Sequence, residues 1–203
     1  MWNTPNLLTL LRIALIPVFV AVFYWPAALA GVASAAVFAA AAVTDLLDGY
    51  LARRWGQTSA LGAFLDPVAD KLMVAVALVL LVQADPAPAL AIAAAVIIGR
   101  EITVSALREW MAEIGARARV AVSLVGKFKT TIQMIAIILL LLGGPVLGVP
   151  VYPLGVVLLY IAAGLTLWSM VVYLRIAWPS LVRPVPQDGS RPSAQTNVME
   201  SRG

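Results

Sequence analysis

The chain has 203 residues, of which 62% are apolar and only 12% charged, and its mean hydropathy of +0.96 is far above that of soluble domains. It contains no cysteine and no histidine, which excludes disulfides, thiolate metal sites and histidine as a general base. The net charge of +4 gives no reason to expect a nucleic-acid partner. These values predict an integral membrane protein in which any metal ion is held by oxygen ligands, as hard cations are.

Six apolar segments, each about 20 residues long and therefore long enough to cross a bilayer, are separated by charges, prolines and glycines. The predicted spans are residues 6–25, 28–52, 62–83, 88–112, 122–143 and 152–176. The first break includes "ALAG", which resembles a signal-peptidase site. No basic segment precedes the apolar run before it, so we expect no cleavage there.

The breaks between the spans alternate in charge. The first, third and fifth contain one charged residue in all, Asp85, whereas "ARRWGQTSA" and "REWMAEIGARARV" are rich in arginine. The positive-inside rule predicts that the arginine-rich breaks and both termini are cytoplasmic. We therefore expect an all-α integral membrane domain over residues 1–178, with a polar cavity facing the cytoplasm. Residues 179–203, rich in Pro, Ser, Gln and Asn, are expected to form a disordered cytoplasmic tail.

Two short stretches, "DLLDGYLAR" and "GAFLDPVAD", hold four of the ten acidic residues: Asp45, Asp48, Asp66 and Asp70. At about 100° per residue, Asp45 and Asp48 share one helix face, and Asp66 and Asp70 lie one turn apart on the next helix. The short loop at 54–61 makes the two helices antiparallel neighbours, so these faces can meet. Four carboxylates repel one another unless cations neutralise them, and one or two divalent ions would do so. The spacing therefore predicts an all-oxygen metal site.

Small and basic residues accompany these carboxylates. Gly49, Ala52 and Gly62 remove side-chain bulk where the helices and a ligand must approach, and Arg53 could reach a phosphate oxygen. A pair of metal ions commonly binds both sides of a phosphoryl displacement. The alternative is that the aspartates cap helix ends or pair with nearby Arg and Lys side chains. That interpretation explains one or two of them more readily than four.

Residues 45–70 fit the pattern D-x-x-D-G-x-x-A-R-x8-G-x-x-x-D-x-x-x-D at every fixed position. This pattern resembles the signature of the CDP-alcohol phosphatidyltransferase family. The resemblance implies an integral membrane enzyme of about six helices, which moves a phosphatidyl group from CDP-diacylglycerol to an alcohol and releases CMP. It also implies a homodimer.

The resemblance further implies two divalent ions, Mg²⁺ or Mn²⁺. Asp45, Asp48 and Asp66 would bind the first ion, and Asp45, Asp66 and Asp70 the second. Asp70 would also take the proton from the acceptor hydroxyl. A second set of residues would bind CDP-diacylglycerol: Gly49, Ala52, Arg53, Ser59 and Gly62, with Asn6 and Thr9 of the first span. For the N-terminal segment an ordinary helix start, capped by Asn3 or Thr4, is an equal alternative.

Four further stretches bear on the acceptor alcohol: "FLDPVADK", "GREITVSALREW", "GKFKTTIQM" and "LTLWSM". Along most of residues 3–175 they resemble bacterial members of the family, enzymes of the inner membrane, whose acceptor is sn-glycerol 3-phosphate. That acceptor is a dianion and needs several cations. Arg100 and Arg108, about 80° apart around one helix, are candidates together with Lys127 and Lys129. Arg117 and Arg119 are better explained as cytoplasmic anchors.

Three alternatives remain. Another acceptor, such as inositol phosphate, serine or phosphatidylglycerol, would suit the same signature. A divalent-cation transporter would also need intramembrane carboxylates, but it should place them near the midplane on broken helices. A prenyl transferase would carry an aspartate-rich D-D-x-x-D motif, which the sequence lacks.

Overall fold

The computed structural model describes residues 4–55, 60–114, 124–146 and 148–182, in which six helices account for nearly all of the chain. In chain order the helices are α1 (Thr4–Phe23), α2 (Ala30–Trp55), α3 (Ala60–Ala84), α4 (Pro88–Glu113), α5 (Leu124–Leu142) and α6 (Val151–Leu181). Each predicted apolar segment corresponds to one helix, which confirms the mainly helical fold. Whether all six cross a membrane stays a prediction.

The helices extend further than the sequence suggested at two places. α2 continues to Trp55 and α3 begins at Ala60, so the predicted loop at 54–61 is shorter than expected. α6 continues to Leu181, beyond the predicted end at residue 176 and into the segment assigned to the tail. Residues 183–203 of that tail lie outside the described residues.

The segment between α5 and α6 contains a short hairpin that the all-α prediction missed. Strands β1 (Pro145–Val146) and β2 (Val149–Pro150) pair antiparallel, with Val146 opposite Val149. Gly148, in the turn between them, has a φ of +81°, a backbone conformation that residues other than glycine rarely adopt. Gly143, just after α5, also has positive φ, as is common where a helix ends.

One apolar core joins all six helices. The rings of Phe19 on α1 and Phe38 on α2 lie 6.1 Å apart between centroids, and both side chains are fully buried. The other four helices each contribute a fully buried side chain to the same core: Leu78, Ile97, Ile137 and Leu159. α1 packs on α2 and α3, whereas α6 packs on α5 and α4. A second, smaller cluster between α4 and α6 includes Val104 and Tyr173.

The outer surface of the bundle is apolar as well. Ile92 and Ile102 on α4 and Trp168 on α6 are each more than 60% exposed, which suits contact with lipid. Within the described residues two segments are long and apolar enough to cross a membrane, Pro88–Glu113 and Val151–Trp178. Shorter apolar segments occur at Leu7–Phe23, Ala30–Asp45 and Lys129–Leu142. The protein therefore has the character of a membrane protein.

The start of α2 lies very close to the end of α5. A Cβ atom at Gly31 would stand 2.8 Å from the carbonyl oxygen of Leu141, closer than side-chain carbons approach a backbone oxygen. Small residues permit such contacts between helices in membranes. Gly31 therefore sets the distance between α2 and α5, which carry parts of the site described below.

We predict that Gly31→Ala lowers the stability of the folded protein by about 1–3 kcal/mol, because α2 must move away from α5. The measurement is thermal unfolding of the purified protein in detergent. The matched control is Gly164→Ala on α6, where an added Cβ meets nothing within 4 Å. Equal unfolding temperatures for the two variants would contradict this role of Gly31.

Candidate active site

An ion pair between a buried arginine and a partly exposed aspartate links α1 to the first aspartate of the signature. Nη1 of Arg12 lies 2.8 Å from Oδ1 of Asp45, and the Arg12 side chain is almost completely buried. Sequence reasoning did not assign Arg12 to the site. The signal was present, since an arginine inside an apolar segment is costly unless it has an inward role.

Asp70 faces the same region from α3. With Arg12 it lines a cleft of about 200 Å³ whose other walls come from α2, α3 and α5. The Asp70 carboxylate interacts electrostatically with both Asp45 and Arg12, as well as with Glu101 and Lys71. The structure therefore brings together two of the four predicted metal ligands, one from each helix of the signature.

A second cleft, of about 310 Å³, begins at Asp70 and extends between α3, α4 and α5. Its polar lining consists of Asp70, Lys71, Glu101, Thr130 and Gln133. Because Asp70 lines both clefts, it stands where ligands in the two clefts would meet.

Beside the second cleft lies a group of charged side chains that we call the basic cluster, Arg100, Glu101 and Lys129. Oε1 of Glu101 accepts hydrogen bonds from Nη1 of Arg100 at 2.8 Å and from Nζ of Lys129 at 3.0 Å. Arg100 is 8% exposed and Lys129 only 1%. Buried cations need such a partner, because removing a charge from water is costly. The structure thus brings together two predicted acceptor-binding residues, around an acidic residue that sequence reasoning missed.

α6 supports the basic cluster from behind. Nη2 of Arg100 donates to Oγ of Ser169 at 3.1 Å, and the Ser169 hydroxyl donates to the carbonyl oxygen of Thr166. The guanidinium carbons of Arg100 and Arg108 lie 5.9 and 5.3 Å from the centre of the Tyr173 ring. Arg108 also donates to the Tyr173 hydroxyl at 3.0 Å. Ser169 and Tyr173, one helical turn apart, form a polar stripe that their spacing in an apolar helix could have revealed.

The remaining predicted site residues differ in how much of each the structure describes. Thr9 is fully buried on α1. The side chains of several others, which lie in α1, α2, α3 and α5, are outside the described part: Asn6, Asp48, Gly49, Ala52, Arg53, Gly62, Asp66 and Lys127. Ser59, Arg117 and Arg119 lie entirely outside the described residues. Their predicted roles therefore stay predictions.

The described carboxylates fit a hard divalent cation by donor type. Asp45 and Asp70 offer oxygen donors only, and they interact across the cleft with like charge, which a cation would neutralise. Among the described residues no group of three or more acidic side chains could hold a metal ion. Asp48 and Asp66, whose side chains are outside that part, are needed to complete the predicted ligand set.

Comparison with known proteins identifies the family of the chain. The sequence model of the CDP-alcohol phosphatidyltransferase family matches residues 2–168. The chain is 54% identical over 202 residues to a CDP-diacylglycerol--glycerol-3-phosphate 3-phosphatidyltransferase of Pseudomonas fluorescens, covering 99% of this chain and 100% of the relative. A relative of the same name from Pectobacterium atrosepticum is 55% identical over 183 residues, or 90% of this chain and 99% of the relative.

A third relative of that name, from Shigella flexneri, is 51% identical over 181 residues, which cover 89% of this chain and 98% of the relative. The family match spans most of the chain, and all three relatives align over nearly their whole length. The signature found in α2 and α3 lies inside the matched region. The chain therefore belongs to the CDP-alcohol phosphatidyltransferase family.

Proposed function

We propose that the chain transfers the phosphatidyl group of CDP-diacylglycerol to sn-glycerol 3-phosphate, producing phosphatidylglycerophosphate and CMP for phosphatidylglycerol and cardiolipin synthesis. Relatives that are 51–55% identical over nearly their whole length carry this activity in their names. The structural observation that carries the proposal is the cleft in which Asp70 lies near the basic cluster. That cleft offers a proton acceptor, Asp70, and a cation, Lys71, and the two cations of the basic cluster lie beside it through Glu101.

Asp70 serves as the general base. The 1-hydroxyl of glycerol 3-phosphate gives its proton to the Asp70 carboxylate as its oxygen forms a bond to the phosphorus on the diacylglycerol side. The bond from that phosphorus to the CMP oxygen breaks, and CMP leaves with the electron pair. Asp70 is suited to this role because it lines both clefts and can meet the acceptor alcohol where the nucleotide ends.

The basic cluster binds the phosphate of the acceptor. Arg100 and Lys129 together with Glu101 carry one net positive charge, and both cations are buried in geometry fixed by Glu101. A phosphate dianion beside them gains charge-assisted hydrogen bonds. Arg108, held against Tyr173, and Lys127, near the start of α5, add two further cations.

The nucleotide end of CDP-diacylglycerol is assigned to the signature helices. Arg53 binds a phosphate oxygen, and the small residues beside it leave room for the ligand: Gly49, Ala52 and Gly62, with Ser59, Asn6 and Thr9 completing the site. Two divalent ions, Mg²⁺ or Mn²⁺, held by Asp45, Asp48, Asp66 and Asp70, would neutralise the diphosphate and the charge that develops on CMP. The oxygen-only donors of Asp45 and Asp70 support this choice of cation.

The proposed setting is the inner membrane of a bacterium. All six helices would cross it, with the active site and both termini on the cytoplasmic side. The arginine-rich segments after α2 and α4 support this orientation. The acyl chains of CDP-diacylglycerol would lie in the inner leaflet beside the apolar outer faces of the helices. A homodimer and a disordered tail complete the proposal.

The test of the function is CMP release by the purified full-length protein, supplied with CDP-diacylglycerol, Mg²⁺ or Mn²⁺, and one acceptor at a time. We expect release with glycerol 3-phosphate and none with inositol phosphate, serine or phosphatidylglycerol. Release with one of the other alcohols would assign the chain to another branch of the family. No release with any acceptor, together with uptake of divalent cations into vesicles, would favour the transporter instead.

Replacement of the base tests the chemical step. We expect Asp70→Asn to retain CDP-diacylglycerol binding but to lower CMP release roughly 10²–10⁴-fold, because an amide cannot accept the hydroxyl proton. The control is Asp85→Asn, since Asp85 follows α3 at its opposite end, where it accepts a hydrogen bond from Tyr152. Full turnover by Asp70→Asn would exclude Asp70 as the base.

Removal of one buried cation tests the acceptor site. Lys129→Met should raise KM for glycerol 3-phosphate about 10- to 100-fold, as expected for one charge-assisted hydrogen bond, and leave KM for CDP-diacylglycerol unchanged. Arg175→Met, which removes an exposed cation of α6, is the control. Steady-state kinetics with each substrate varied in turn gives both constants. An equal rise in both KM values would show that Lys129 does not act on the acceptor alone.

A further inference from the structure

Gln133 on α5 is a buried polar residue to which the mechanism gives no role. It is 3% exposed, and its Oε1 atom has no hydrogen-bond partner among the residues that the structure describes. An unpaired buried acceptor loses its hydrogen bonds to water without replacement, so native structures seldom keep one without a reason. A missing ligand is one such reason.

The side chain of Gln133 lines the cleft between α3, α4 and α5, opposite Asp70 and Glu101. On α5 it follows Lys129 by four residues, so the two side chains lie on one helix face with Cβ atoms about 5–6 Å apart. The amide thus lies next to the proposed phosphate site, in the cleft that also contains the proposed base.

The chemistry of an amide oxygen limits what can pair with it. It accepts hydrogen bonds, so it requires a donor, and a phosphate dianion has none to offer. A hydroxyl can donate to it. Glu101, another acceptor lining this cleft, already takes hydrogen bonds from Arg100 and Lys129. A hydroxyl entering the cleft therefore finds the unpaired acceptor at Gln133.

We infer that Gln133 binds the secondary hydroxyl of the acceptor alcohol and so determines specificity for a 2-hydroxylated acceptor, an inference that rests on the proposed function. Glycerol 3-phosphate carries its phosphate, secondary hydroxyl and primary hydroxyl on successive carbons. The site offers Lys129 for the phosphate, Gln133 for the secondary hydroxyl and Asp70 for the primary hydroxyl. One amide therefore recognises the middle of the acceptor while the base and the cations hold its two ends.

The test compares two acceptors, glycerol 3-phosphate and 3-hydroxypropyl phosphate, which lacks only the secondary hydroxyl. For the unmodified full-length protein we expect kcat/KM to be roughly 10- to 100-fold higher with glycerol 3-phosphate, the effect of one hydrogen bond made in a buried site. Gln133→Leu should lose most of that preference. The loss should come from slower reaction of glycerol 3-phosphate, with 3-hydroxypropyl phosphate reacting as before.

Gln133→Met, with an unbranched side chain of similar length, is the second variant in case leucine does not fit. Ser34→Ala is the matched control, because it removes a buried hydroxyl that also has no described partner, on α2 and outside the lining of both clefts. It should keep the full preference. Thermal unfolding of each variant shows whether the fold is retained.

Three results would overturn the inference. The first is that the unmodified protein does not distinguish the two acceptors. The second is that the folded variants keep the preference. The third is that the variants slow both acceptors equally, which indicates a purely structural role. Failure of the proposed function is distinguishable, because the unmodified protein would then release no CMP with glycerol 3-phosphate.

Discussion

Each charge buried in this apolar bundle needs an opposite charge or a polar partner beside it, because neither the core nor lipid can solvate it. Arg12 meets this requirement through Asp45, and Arg100 and Lys129 meet it through Glu101. These contacts join α1 to α2 and α4 to α5. The interactions that offset the cost of burying these charges therefore also fix the positions of the site's helices relative to one another.

This constraint also explains how the site is divided. The charged groups run from the Arg12–Asp45 pair, past Asp70, to the cluster around Glu101. Asp70 interacts with charges on both sides, and it lines both clefts. In the proposed reaction this position lets one carboxylate face the nucleotide on one side and the acceptor alcohol on the other. In the proposed function, donor recognition lies mainly on α1 to α3, and acceptor recognition lies on α4 and α5 with support from α6.

In the proposed function α6 acts by positioning the arginines of α4. Ser169 and Tyr173 touch the arginines of α4, and apart from residues such as the buried Thr166 and the exposed Arg175 the helix is mainly apolar. Holding Arg100 from behind restricts its side chain, which reduces the entropy lost when a ligand binds.

The sequence by itself determined the six helices, the membrane character and the family, because apolar runs and a motif of eight fixed positions are local features. It also identified Asp45, Asp70, Arg100 and Lys129 as residues whose charge in an apolar segment demands a role. It missed the hairpin at residues 145–150, whose short strands carry no periodic signal. Only the tertiary structure paired Arg12 with Asp45 and placed Glu101 between two cations. Arg12 and Asp45, like Glu101 and Lys129, are at least 28 positions apart in the sequence. Their contact depends on which helix faces meet. The unpaired amide oxygen of Gln133 likewise could not be predicted from the sequence, because it depends on how α3, α4 and α5 pack around the side chain.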